Sequence, residues 1–267
     1  NGCQFTESIG VQVNDNPPAQ IISSADGDFK FCAGPNNFET LELSPPPPFM
    51  VFWWGPDDPN ILAGVGASLD VYAEGEFGAT IVDGNCDTEL DPVLVQQWPL
   101  VPAFITGPSI LCEGDCTELL APTGDYTYAW SSPGLGSLGN ASSIEVCSDQ
   151  ISGNDTFTLT VTDNISECVN EIDLVITVEP NPVVILGTSP DPPCEGSEVT
   201  IFVDNYDDIN FDYVWTGGQT GQTFTTFAEG IYTVVAIDKI TGCKGFATET
   251  VHPCPNLCEV ATGCYTA

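Results

Sequence analysis

The sequence contains no arginine, three lysines (Lys30, Lys239 and Lys244) and a single histidine, His252. Against these stand 38 Asp and Glu residues, for a formal net charge of −35. A surface so poor in cations repels phosphate, which excludes nucleic acid as a partner. It is equally unsuited to anionic lipid heads. One histidine and no arginine leave nucleophile–histidine triads and phosphoryl chemistry without their parts, and no glutamate pair breaks the repeat pattern. The chain is therefore read as non-enzymatic. No stretch approaches the roughly 20 apolar residues of a membrane span, so no membrane insertion is predicted. No segment repeats its apolar residues every 3.6 positions, and Gly, Pro and Thr interrupt the chain too often for a helix of any length. Residue 1 is Asn and no basic, then apolar, leader follows it, so the chain is read as a processed or excised piece.

What is present is a packed, repetitive, cysteine-rich chain. Hydrophobic residues make up 42% of it, which separates it from disordered acidic tails. Three copies of one unit are visible. The second opens with Leu111-Cys112-Glu113-Gly114, continues with Tyr126, Tyr128 and Trp130, and closes on Thr156–Asp163 and then Cys168. The third repeats that order as Cys194-Glu195-Gly196, then Tyr213 and Trp215, then Ile231–Asp238 and Cys243. A blurred first copy runs through Cys32-Ala33-Gly34, Trp53, Phe77–Asp83 and Cys86. Three copies divide the 267 residues into about 89 each, near the ~100 of an immunoglobulin-type sandwich. The predicted fold is all-β: tandem Ig-like sandwiches, with Trp53, Trp130 and Trp215 as equivalent core residues. The predicted divisions are 19–102, 103–182 and 183–253, followed by a Cys-rich tail over 254–267.

Residues 1–18 break the pattern. Cys3 is followed by Phe5, Ile9, Val11 and Val13 on one parity, which predicts a half-buried strand. The same alternation follows Cys168, so residues 1–18 are read as the last strand of a preceding repeat. The other reading is a donor strand that completes a neighbouring copy. Both give the strand a partner, either a neighbouring repeat or another copy of the chain.

Twelve cysteines in such a composition predict disulfides and an oxidising exterior. Repeat symmetry pairs Cys32 with Cys86, Cys112 with Cys168 and Cys194 with Cys243. Cys116 and Cys147 occur only in the second copy and make a further pair. The pairing of Cys3, Cys254, Cys258 and Cys264 stays open. No cofactor is predicted, calcium being the one candidate. The excess of carboxylates calls for salt or divalent cations, and calcium takes six to eight oxygens. The candidate ligands are Asp15 in one acidic segment and Asp204, Asp207 and Asp208 in another, each set against the plainer reading of a solvated turn. Asn14-Asp15-Asn16-Pro17-Pro18 resembles the calcium linker of cadherins, although Gln12 stands where that motif has Asp.

The order Cys-Glu-Gly, Tyr-x-Trp, Gly-x-Tyr-Thr-Val-x-x-x-Asp, Gly-Cys resembles the Ig-like and PKD-like repeats of very large secreted proteins of gliding and marine Bacteroidota. Gly230, Tyr232, Thr233, Val234, Asp238, Gly242 and Cys243 carry the resemblance in the third copy. In the second it rests on Tyr128, Trp130, Thr160, Val161, Asp163 and Cys168. It implies export, by type IX secretion, to the cell surface or beyond. The expected role is a structural segment of an extracellular fibre, stalk or adhesin. Two alternatives stand beside it. One is a carbohydrate- or partner-binding module of a secreted enzyme, with a polysaccharide or cell-surface partner. The other is a calcium-dependent adhesion domain.

Overall fold

The structure, a computed structural model, describes residues 19–24, 28–56, 62–84, 87–194, 196 and 198–253. The strand expected in residues 1–18 and the tail at 254–267 lie outside the described residues, as do Asp15 and Cys86.

Three sets of strands follow one another. The first comprises β1 (Gln20–Ser23), β2 (Lys30–Cys32), β3 (Glu39–Ser44), β4 (Met50–Trp54), β5 (Leu62–Val65), β6 (Ser68–Val71), β7 (Gly75–Val82), β8 (Asp87–Glu89) and β9 (Val93–Trp98). They form one sheet in the order β1-β3-β6 and another in the order β2-β9-β7-β4-β5, with β8 beside β7. The second set comprises β10 (Ile110–Cys112), β11 (Cys116–Leu120), β12 (Tyr126–Ser132), β13 (Gly136–Gly139), β14 (Ser143–Cys147), β15 (Asn154–Asp163) and β16 (Val169–Glu179). Its sheets run β10-β16-β15-β12-β13 and β11-β14. The third comprises β17 (Leu186–Ser189), β18 (Val199–Val203), β19 (Phe211–Trp215), β20 (Thr223–Thr226), β21 (Gly230–Asp238) and β22 (Lys244–Val251), in sheets β17-β18-β20 and β19-β21-β22. Each set is a two-sheet sandwich of the Ig-like kind. The only helical segment among the described residues is a single 3-10 turn, Ser148–Gln150.

Period-two patterning decides which residues go inside. In β15 Phe157, Leu159 and Val161 are buried while the intervening threonines face outward. In β18 Val199, Ile201 and Val203 alternate inward in the same way. The first core gathers Leu41, Val51, Trp53, Ile81 and Val95. The third gathers Ile201, Tyr213, Trp215, Val234 and Ala236. Trp53, Trp130 and Trp215 are 0%, 1% and 2% exposed. A buried indole N–H needs an acceptor, and all three find one in a nearby backbone carbonyl. Trp53 donates to Gly66 (2.8 Å), Trp130 to Ala141 (2.9 Å) and Trp215 to Gly221 (2.8 Å). The indole thus fills the core and also ties the turn above it. Replacing any of them by Ala costs about 3–5 kcal/mol on packing alone.

Two parallel pairings govern where the cysteines end up. β2 lies parallel to β9, with Cys32 opposite Trp98. β10 lies parallel to β16, with Cys112 opposite Glu179. An isolated parallel bridge joins Cys194 to His252 at the matching place in the third sandwich. The first-strand cysteine therefore sits at the C-terminal end of the last strand each time. The chain also divides into two compact units that cut across the repeats. One takes in the first sandwich with Asp125–Thr127 and Val161–Asn170; the other takes in Ala103–Gly124, Tyr128–Thr160 and the third sandwich.

Candidate functional site: the cysteine junctions

In the second and third sandwiches the cysteine before the last strand is presented by a hairpin turn of one construction. In the second sandwich the turn runs from Asp163 to Cys168. Asp163 Oδ1 accepts the backbone N–H groups of Ile165 (3.0 Å) and Ser166 (2.8 Å) and the Ser166 hydroxyl (3.0 Å). The Cys168 N–H in turn donates to Ser166 Oγ. In the third sandwich Asp238 Oδ1 accepts the N–H groups of Ile240 and Thr241, both at 2.8 Å, and the Cys243 N–H donates to Thr241 Oγ1. Bonds from Asp163 N to Cys168 O and from Asp238 N to Cys243 O, both 2.9 Å, close the two turns alike. The residue before each cysteine takes a left-handed backbone, Glu167 at φ 58° and Gly242 at φ 76°. Acceptance of N–H bonds favours a charged carboxylate. The Ser166 N–H and then the Ile165 N–H hold Asp163 below its ordinary pKa, and the Thr241 and Ile240 N–H groups do the same for Asp238.

The pairing expected from repeat symmetry is overturned at the bonds the structure describes. Cys32 is bonded to Cys168, not to Cys86, and Cys112 to Cys243, not to Cys168. Cys194 is also disulfide-bonded, but Cys243 is taken by Cys112. The reason is geometric. Cys112 lies beside Glu179 at one end of β16, and Cys168 immediately precedes its other end. Eleven residues at ~3.3 Å each put them ~36 Å apart, whereas a disulfide needs Cα atoms within about 7 Å. Cys194 and Cys243 are separated in the same manner by β22. In the second and third sandwiches the two equivalent cysteines sit at opposite poles, and Cys112, Cys168 and Cys243 each bond to a neighbouring sandwich. The pair Cys116–Cys147 forms, directly opposed across β11 and β14.

Each described bond between sandwiches is seated among matching contacts. The backbone continues the parallel ladder one residue past the cysteine, Ala33 N to Trp98 O (2.8 Å) and Glu113 N to Glu179 O (2.9 Å). Two residues beyond Cys168, Asn170 Nδ2 donates to Val101 O at 2.7 Å. The residue two beyond Cys243 is Gly245, so close to the linker that an added Cβ would lie 1.7 Å from Pro182 O. Asn181 Nδ2 closes the same junction on Glu113 O at 2.7 Å. Cys168 and Cys243 are 1% and 0% exposed, so both sulfurs are shielded from reductant.

The acidic candidates for calcium fall elsewhere. Asp207 is engaged as a turn cap: Oδ2 accepts Asn210 Nδ2 at 2.7 Å, and Oδ1 accepts the Ile209 and Asn210 N–H groups. The Asn210 side chain, those N–H groups and the Lys239 charge hold it below its ordinary pKa. Lys239 Nζ donates to Asp208 O and lies 3.5 Å from Asp212. Asp204 is exposed. Among the described residues, the one group of three ligating side chains within 4.8 Å of one another is Cys116, Glu145 and Cys147, whose sulfurs are joined to each other. Of the two tryptophans outside the repeat pattern, Trp54 packs its ring over Gly78 and Trp98 lies under Lys30 Nζ at 5.7 Å.

A chain of successive Ig-like sandwiches, joined by disulfides between neighbours, is the class of protein this fold and these junctions define. No protein-family model matches the chain, and no curated protein matches it. Among solved structures it is similar to the three N-terminal domains of the Highly Immunogenic Outer Capsid protein of bacteriophage RB49, at 15% identity over 89% of this chain and 98% of that one, TM-score 0.37. It is similar to the D1–D4 ectodomain fragment of ICAM-5 at 12% identity over 87% and 75%, TM-score 0.34. It is also similar to the fibronectin(III)-like modules of Clostridium thermocellum CbhA at 14% identity over 60% and 95%, TM-score 0.31.

Proposed function

We propose that this chain is a structural segment of an extracellular fibre, stalk or adhesin, whose work is to hold a length of tandem sandwiches together outside the cell. The observation that carries the reading is that two described disulfides, Cys32–Cys168 and Cys112–Cys243, join successive sandwiches. A bond within a sandwich stabilises that sandwich; a bond between two protects their connection, which matters to a connector. Disulfides persist in oxidising compartments, so the chain belongs at the cell surface or beyond it. The repeat signature points the same way, toward secreted surface proteins of Bacteroidota and type IX export. The strand expected in residues 1–18 is the proposed joint to a preceding repeat or to another copy. No catalytic role is assigned.

Electron microscopy of the native material tests the reading. Continuous filaments or beaded rods support it, and separate compact particles with a small-molecule activity overturn it. Imaging with and without chelator decides the calcium-dependent alternative. Filaments that dissolve in chelator make calcium part of the joint, and filaments that persist remove it.

A further inference from the structure

The two described inter-sandwich bonds close loops of 136 and 131 residues. These loops overlap, because the second opens at Cys112, before the first closes at Cys168. From this stagger, and resting on the structural reading above, we infer that the chain is a covalent load-bearing ladder that carries tension across a broken backbone. The connection between β9 and β10 lies inside the loop closed by Cys32–Cys168. The connection between β16 and β17 lies inside the loop closed by Cys112–Cys243. Each linker therefore has two covalent routes around it, one through the backbone and one through sulfur. A cut anywhere between Cys112 and Cys168 is spanned by both loops. Disulfides confined to single sandwiches would leave each linker on the backbone alone.

The same stagger limits extension. Once the fold yields, load follows the shortest covalent route. From Cys32 it crosses to Cys168, returns along the chain to Cys147, crosses to Cys116, reaches Cys112 and crosses to Cys243. That route contains about 25 residues, ~90 Å at full stretch, against about 210 residues and ~740 Å once the bonds are reduced. Any further bond, that of Cys194 included, can only shorten it. Cys116–Cys147, the pair found only in the second sandwich, lies on this route and removes 31 residues from it. The interiors of the first and third sandwiches hang from the route as slack loops, so their cores are spared the load.

The experiment is to insert one protease recognition sequence between Pro102 and Ala103, where Pro102 is exposed, and to cleave the oxidised, folded chain there. The cut chain is run without reductant and is also held between two handles under tension. The ladder requires a single full-length species that bears load, and two fragments only after reductant is added. Two fragments without reductant overturn it. Should the insertion prevent folding, peptide mapping of the unmodified oxidised chain decides instead. A peptide linking Cys32 to Cys168 supports the ladder, and one linking Cys112 to Cys168 overturns it. Extension of the intact chain must also rise by at least ~650 Å on reduction. Failure on these counts together with filaments by microscopy would remove the ladder and leave the structural role standing. Separate compact particles with a small-molecule activity would remove the role itself.

Discussion

The second and third sandwiches solve one problem with different residues. Both must aim a buried cysteine at a neighbour from the turn before the last strand. Both cap that turn with an aspartate, Asp163 or Asp238, and brace the cysteine N–H with the next hydroxyl, Ser166 or Thr241. They differ at two flanking positions. The second sandwich places Glu167 and Asn170 where the third places Gly242 and Gly245. One junction reaches its linker with a side-chain amide; the other brings the backbone itself into contact. The invariant parts are those that orient sulfur, and the variable parts fill the gap that remains.

The largest effect should come from closing that gap at Gly245. A Cβ there would collide with the Pro182 carbonyl, a backbone atom that moves only if the linker moves. Gly245→Ala is expected to cost about 2–4 kcal/mol, as overpacked positions do. The counterpart Asn170→Ala removes one hydrogen bond to Val101 and should cost about 1 kcal/mol. Urea unfolding of the two variants checks the difference. Equal costs would mean that the two junctions are not built differently.

At the left-handed position the comparison reverses. Gly242→Ala should lose about 1 kcal/mol, because a side chain resists φ of 76°. Glu167 already bears that penalty at φ 58°, so Glu167→Gly should stabilise by a few tenths of a kcal/mol, the gain being trimmed by the extra freedom of glycine in the unfolded chain. Thermal melts of oxidised protein give both signs.

Much of this was legible in the sequence, and the part that was not has a definite cause. The three tryptophans, the alternation in β15, β18 and β21, and the Asp-to-Cys spacing all report on one sandwich at a time. Local pattern therefore predicts them. The disulfide partners depend on which pole of the sandwich each cysteine occupies. Repeat symmetry makes Cys112 and Cys168 look like a pair because they recur together. The signal against that pairing is the strand between the second cysteine and the next unit. Eleven residues of β16 start at one cysteine and end beside the other. The parallel pairing of β10 with β16 is a long-range contact that no alternation announces. The turn at Asp207 was one of two readings open in the sequence, because an acidic loop reads alike whether its carboxylates bind a cation or cap N–H groups.

Acid should treat the two hairpins alike. Asp163 and Asp238 have pKa values lowered by N–H donors, so their contribution is complete above the ordinary value of 3.8. It is lost as pH falls through the lower folded values. Oxidised protein should therefore keep full stability to about pH 4 from these two groups and soften below it. Asp163→Asn and Asp238→Asn should each flatten that acid limb. A limb unchanged in both variants would assign acid sensitivity to other carboxylates.

The smallest effect is expected on the outer faces, where the two sandwiches look most different. In the second, Thr158 and Thr160 donate to Asp173 (2.7 Å) and Glu171 (2.9 Å), a patch of polar pairs. In the third, Val214, Val235 and Phe246 stand opposite one another across β19, β21 and β22, with Phe246 66% exposed. An apolar side chain that remains in water has gained little by folding, and exposed hydrogen bonds between flexible groups trade against water at near parity. Phe246→Thr and Thr160→Val should each change stability by no more than about 0.5 kcal/mol. If Phe246→Thr costs more than 2 kcal/mol in the oxidised chain, the face is covered in solution and the third sandwich is held by more than its core and its sulfur. If it costs nothing, stability resides in the inward half of each strand and in the junctions, and the outer faces are free to diverge as these two have.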